Sequence, residues 1–401
     1  MVTKNWPKFP VLFSLYIAQS IPMSFFSTVM PVIMRQEHYS LESIGLLQLI
    51  KLPWIVKFFW APLVDNHARS GRLIRRWIIS SELFYAAVIV AVGFFDLQTD
   101  FRLIIFLIVI AFIASATQDI ATDIFAIHVL KSHEKGLGNS MQSSGSFVGS
   151  LMGTGVLLFA FYYMGWQNLL FLLAAFVLFA IIPLMVYRPK LKIDEEERKR
   201  INVFDIFRFF YNKVSLKRLL VLLFYYSGII GILAMMKPYM VDLGYNVKEI
   251  GFMSGIVGTS VASVCALVAG LIIKRLGRKV SIFLFAVLNI LAAGYFFLIS
   301  MNTPTVVELY LAICFIWGAY GLSTVIIYTT SMDVVRKNSE GTDFTVQIVV
   351  THLSSMLVAI FSGRLGDSIG YNGLFGVEVL MGLASLVVLF YNYPVKLKLW
   401  K

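Results

Sequence analysis

Charged side chains are scarce in this chain of 401 residues: Asp, Glu, Lys and Arg make up 14% of it, where a soluble domain carries roughly a quarter. That scarcity excludes an ordinary water-facing globule. Cysteine is almost missing, and the two that occur, Cys265 and Cys314, lie inside apolar runs. Neither a disulfide framework nor a thiolate metal site follows from them, and no metal or cofactor is expected. No phosphate-binding GxxxxGKS/T string occurs, so any work the chain does must draw on a gradient. A short removable leader is not expected either. The first apolar run outlasts the roughly 7–15 residues of a signal core and holds Gln19 and Pro22, which predicts a first membrane span.

What is present is apolar. Hydrophobic residues make up 59% of the chain, and the mean hydropathy is +0.81. Runs long enough to cross a bilayer, about 20 residues each, recur near 9–34, 41–64, 73–95, 102–130, 137–163, 167–187, 218–241, 249–273, 278–300, 305–330, 343–369 and 373–394. They predict an all-α polytopic membrane protein of twelve helices, with only 188–218 left over. The net charge of +12 suggests a nucleic-acid partner until its distribution is read. With the turns assigned alternately to two sides, 27 of the 34 Lys and Arg fall on one side. Short loops rich in Lys and Arg stay in the cytoplasm. Both termini are therefore expected there, and the basic excess reports topology.

The chain also repeats itself. HVLKSHEKGLGNSMQ from His128 and DVVRKNSEGTDFTVQ from Asp333 align without a gap at an offset of 205 residues, which carries Gly136 onto Gly341 and Gln142 onto Gln347. SIGLL from Ser43 and EIGFM from Glu249 sit at an offset of 206. Two parallel repeats in a membrane protein predict a carrier of two pseudo-symmetric six-helix bundles around a central site. The expected division is 1–189, a cytoplasmic linker 190–217, and 218–401. Within the linker, Ile193–Arg200 reads as a solvated helix, and Val203–Tyr211 as an amphipathic helix at the headgroups. Small residues in GSFVGSLMGTG (Gly145–Gly155) predict close helix contact.

Ionisable groups inside spans are expensive and mark candidate sites. Counting 1.5 Å per residue from the span ends brings Lys57 and Asp119 to about one depth. Asp119 and Asp123, four apart, share a helix face with Gln118 and Thr122. Lys57, Asp119 and Asp123 thus form a candidate charge network whose protonation changes during a cycle, since a carboxyl losing its cation takes up a proton more readily. A static ion pair that fixes helix orientation, or a mere cluster at the cytoplasmic end, explains the same residues. Gln19, Lys51, Gln118, Thr122, Gln142, Gln347 and His352 are candidate cavity residues, with bonding between helices as the alternative. Asp65 ends the second span, and Arg72, Arg75 and Arg76 begin the third. An acid and cations so placed suggest a cytoplasmic gate, although positive-inside anchoring accounts for the arginines alone. Arg364, Glu378, Lys237 and Glu308 fall near outer span ends, where long side chains reach water. Glu82 is deeper and has no evident role.

At these residues the chain resembles the major facilitator superfamily. Within it, LPWIVKFFWAPLVD (Leu52–Asp65) and TQDIATD (Thr117–Asp123) look like the AmpG-type permease group, which includes acetyl-CoA transporters and a branch of siderophore importers. The resemblance covers most of the N-terminal half; the C-terminal half matches in pattern only. It implies proton-driven import of anhydro-muropeptides across the bacterial inner membrane for cell-wall recycling, and places Lys57, Asp65, Gln118, Asp119 and Asp123 at family motif positions. Family permeases are often longer by two spans. That shortness, with GLGNSMQ (Gly136–Gln142), also resembles the siderophore branch. An acyltransferase would need a nucleophile or a His–acid pair at the bilayer edge, and His128, His133 and His352 sit in no such setting. A channel would show rings of like charge in an oligomer, whereas two unlike halves in one chain suit a monomeric carrier.

Overall fold

The computed structural model describes residues 7–31, 34, 50–97, 99–189, 191, 201–202, 204–211 and 213–393. Every regular element among them is helical: α1 (Lys8–Ser24), α2 (Leu52–Val56), α3 (Ala61–His67), α4 (Gly71–Val92), α5 (Phe101–Val129), α6 (Lys135–Leu151), α7 (Leu157–Val186), α8 (Asp205–Tyr211), α9 (Lys213–Phe224), α10 (Ser227–Asp242), α11 (Val247–Ile250), α12 (Thr259–Ser300), α13 (Val306–Met332) and α14 (Glu340–Asn392). Seven helical stretches are long and apolar enough to cross a membrane. Three of the longer helices turn sharply inside, at Gly165, Gly277 and Gly370, each with φ between 72° and 78°. A residue with a Cβ is strained at that φ, so these glycines end one span and begin the next. Counted at those turns, the described helices follow the twelve-span order that hydropathy predicts, the start of the second span and Ile193–Arg200 lying outside the described residues.

The chain gathers into two compact units. One holds Met1–Ile206 with Met332–Val349, and the other holds Phe207–Ser331 with Val350–Lys401. The boundary therefore falls inside α14, whose first turns belong to the first unit. Both copies of the repeated charged turn accordingly lie in that unit.

In the first unit α1 lies along α6. A Cβ on Gly145 would come within 2.6 Å of the Phe13 carbonyl, one on Gly149 within 3.0 Å of the Ile17 carbonyl and one on Gly153 closer still to the Ile21 carbonyl. Small residues at a spacing of four let the two backbones touch, as in membrane helix pairs generally. α1 passes into a π-helical turn at Phe25–Val29 and α6 into another at Met152–Val156, with Ser24 Oγ bonded to Ser150 Oγ at 3.0 Å beside them. α4 packs on α5 and α7 through an apolar core that includes Tyr85, Ile89, Ile108, Phe112, Leu173 and Val177. The opposite faces stay apolar yet exposed, Phe106 at 60% and Phe179 at 67%. Such faces suit acyl chains and would aggregate in water.

The second unit corrects one sequence expectation. Lys237, Glu308 and Arg364 are exposed, but Glu378 is 2% exposed, with Ser362 Oγ donating to its Oε1 at 3.0 Å. A span-end position predicts an outward side chain only when the helix face there is open. Here the face of α14 bearing Glu378 is covered by α10, close enough that a Cβ on Gly231 would overlap the carboxyl.

Candidate functional site

The second span is broken where Lys57 lies. α2 gives way to a 3-10 turn, Lys57–Phe59, and α3 then starts with Pro62 in its first turn. Proline is tolerated there because the first-turn N–H has no intrahelical partner anyway. The break directs Lys57 into the bundle, where its side chain is 1% exposed. Its ammonium pairs with the Asp119 carboxylate of α5 and lies 4.7 Å from the Trp54 ring centroid. Two oppositely charged groups brought together in an apolar interior offset part of each other's desolvation cost, and an aromatic face adds attraction for the cation.

One turn along α5, Asp123 is 2% exposed and accepts from neutral donors. The Tyr16 hydroxyl of α1 reaches its Oδ1 at 2.5 Å, and Gln142 of α6 contributes a second side-chain bond. Gln19 of α1 donates to Gln118 of α5 in the same layer. The structure thus brings Lys57, Asp119, Asp123, Gln19, Gln118 and Gln142 into one polar cluster on α1, α5, α6 and the broken span. Thr122 is buried beside it, with its hydroxyl unpartnered. Tyr16 is a member that sequence reading passed over. Its signal was its place three residues before Gln19, which puts both on one face of α1.

Lys51 is half-buried at the start of α2. Gln347 is buried and donates to the Asp343 carbonyl of its own helix at 3.2 Å. His352 is exposed and belongs to the second unit.

Asp65, in α3, is 5% exposed and binds no arginine among the described residues. Its carboxylate accepts from the backbone N–H of Gly341 (3.0 Å), the N–H of Thr342 (2.7 Å) and the Thr342 hydroxyl (2.6 Å). Those amides open α14, so the acid caps a helix N-terminus, where unpaired N–H groups and the helix dipole both favour negative charge. Arg72 and Arg76 are exposed, and Arg75 donates to the Leu184 carbonyl at 3.0 Å.

The repeated turns supply the remaining contacts at this end. In the first copy, Glu134 accepts from the Lys131 N–H at 2.8 Å and from Lys8 at 2.6 Å. Partial burial works against ionisation there, but these two donors hold the Glu134 carboxyl below its usual range. In the second copy Arg336, the counterpart of Lys131, donates to Asp343 from its backbone at 2.8 Å and from its guanidinium at 2.6 Å. That fork keeps Arg336 more firmly protonated than usual despite its burial. Each copy therefore caps the same backbone amide with an acid taken from a different position.

Three comparisons bear on this arrangement. A family model described as the Major Facilitator Superfamily matches residues 12–349. The anhydromuropeptide permease of Escherichia coli K12 is 24% identical over 389 residues, covering 96% of this chain and 79% of that protein. A protein named "Putative transporter AmpG 4" from Rickettsia conorii is 23% identical over 401 residues, covering 95% of each. Among solved structures, a bacterial homologue of the iron transporter ferroportin in its outward-facing state matches with a TM-score of 0.71 at 15% identity, over 97% of this chain and 99% of that one. At that identity the match speaks for the fold alone.

Proposed function

The chain belongs to the Major Facilitator Superfamily and is a multi-pass membrane permease, not an enzyme; from that premise we propose that it imports anhydro-muropeptides into the bacterial cytoplasm, driven by protons. The carrying observation is the charge count of the buried cluster. Two carboxyls and one ammonium, Asp119, Asp123 and Lys57, share a site sealed by apolar helices. With every group ionised the site holds one negative charge too many, and one bound proton brings it to neutrality. A membrane interior penalises the uncompensated charge by at least a few kcal/mol. Movement of Lys57 away from Asp119 would then be tied to proton uptake, and its return to proton release. Tyr16, Gln19, Gln118, Thr122 and Gln142 supply neutral donors and acceptors around that step, suited to a polar, hydroxyl-rich solute.

The substrate rests on the named relatives. An AmpG-named relative in Rickettsia conorii is matched over 95% of its length, so a chain this short is in keeping with that group as well. In this reading both termini face the cytoplasm, the membrane is the inner one, and one chain suffices.

Uptake by the purified protein in proteoliposomes tests the reading. Saturable accumulation of labelled anhydro-muropeptide is expected when the outside is made acidic, with loss of accumulation once a protonophore is added. Accumulation undiminished by the protonophore would remove the proton coupling. Uptake of a ferric siderophore with none of the muropeptide would replace the substrate.

A further inference from the structure

A second buried acid in the first unit is left over by this account. Glu82, on α4, is 0% exposed, and neither carboxyl oxygen has a hydrogen-bond partner. Tyr85, three residues on, shares a face of α4 with Glu82, and its phenol neighbours Ser115 of α5. Tyr85 and Ser115 are themselves buried, and neither hydroxyl makes a hydrogen bond of normal geometry. Three polar groups without partners in one apolar layer depart from the rule that buried polar atoms are satisfied, and the departure needs a cause.

Among the described residues, the elements packed on α4 offer Glu82 no counter-charge. α7 carries no Asp, Glu, Lys, Arg or His, and its buried face there is Leu173, Ala174, Val177 and Ile181. From α3, Asp65 is engaged by Gly341 and Thr342, and His67 Nδ1 by the Leu63 carbonyl. From α5, Asp119 and Asp123 lie one and two turns beyond Ser115 and are held by Lys57, Tyr16 and Gln142. Tyr85 is thus the titratable group facing Glu82 among the described residues. Two unfilled carboxyl oxygens share this buried layer with two hydroxyls that have no partner. Such a set has two self-consistent arrangements: a protonated carboxyl with the hydroxyls idle, and a carboxylate taking up both as donors. Ser115, four residues before Asp119, connects this layer to the Lys57–Asp119 pair along one face of α5.

We propose that Glu82, with Tyr85 and Ser115, is a second proton-binding site of the transport cycle, separate from the Lys57–Asp119–Asp123 cluster. Its place in the cycle rests on the proton-driven reading; its existence does not. The only bond exchanged is the O–H of the carboxyl, whose proton passes to water or to a neighbouring carboxylate and returns in the next cycle.

Infrared difference spectroscopy of the full-length protein in liposomes, stepped through pH, tests the site without any substrate. The carbonyl stretch of a protonated carboxylic acid is expected to disappear as pH rises. That band should be missing in Glu82→Gln, and in Tyr85→Phe it should persist to higher pH, because the ionised form has lost a donor. Spectra of Glu82→Gln identical to wild type would overturn the proposal, as would a Glu82 band that never titrates while the protein stays folded. In proteoliposomes the number of protons moved per substrate should fall in Glu82→Gln while uptake persists. An unchanged ratio would remove Glu82 from the cycle. Should the wild-type band titrate while wild-type uptake ignores the pH gradient, the site stands and the proton-driven reading fails.

Discussion

Asp119→Asn is expected to abolish accumulation of substrate against its gradient while the protein still inserts, folds and exchanges substrate across the membrane. Asparagine keeps the shape and an acceptor for Lys57, so the local packing on α5 survives. What it removes is the charge that holds the buried ammonium and, on the proposed reading, one of the two carboxyls whose charge a proton offsets. Asp123, one turn away and bound to the neutral donors Tyr16 and Gln142, is then the nearest anion for Lys57. A Lys57–Asp123 pair would leave no excess negative charge, and with it no reason to bind a proton. Removing one partner of a buried pair outright costs about 3–5 kcal/mol. Lys57→Met alone, which strands two carboxyls, should therefore destabilise more than the double variant Lys57→Met/Asp119→Leu. The double variant should recover thermal stability and remain unable to accumulate. Normal accumulation by Asp119→Asn would return the pair to a static role in orienting helices.

The second large effect is expected at Asp65. In Asp65→Ala the amides of Gly341 and Thr342 lose their acceptor and should exchange hydrogen for deuterium at least about tenfold faster, the loss of one charge-assisted bond being worth about 1.5–3 kcal/mol. Gly341→Val should do the same from the opposite side. A Cβ at position 341 would stand 3.0 Å from Asp65 Oδ1 and 2.7 Å from Ile124 Cδ1, so the side chains must part before valine fits. If the cap also holds one state of the transport cycle closed, as a gate at Asp65 requires, transport should slow in both variants. Arg75→Ala, whose guanidinium binds the Leu184 and Met185 carbonyls, should leave exchange at 341 and 342 as it was. Exchange unaltered in Asp65→Ala, or accelerated equally by Arg75→Ala, would break the assignment of the cap to Asp65.

The sequence pairs Asp65 with the arginines next to it because a linear reading sees neighbours in the chain. Its donors are 276 and 277 residues away. A gap of that size carries no periodicity and no spacing signal, so nothing local points to it. The repeat came nearest, by marking Gly341 as the counterpart of Gly136. It could not tell that the second copy would lie in the first unit.

The number of spans and the common depth of Lys57 and Asp119 were legible from order alone. Each depends on a quantity that accumulates along the chain: apolar length against bilayer thickness, rise per residue. Which groups meet was decided by tertiary structure. Tyr16 reaches Asp123 because Gly145, Gly149 and Gly153 let α1 close on α6, Glu378 turns inward because α10 covers it, and Glu82 has no counter-charge among the described residues because the buried face of α7 there is Leu173, Ala174, Val177 and Ile181. Hydropathy measures how much of a residue dislikes water. The direction in which a side chain points, and what waits for it there, is set by the packing of helices far apart in sequence.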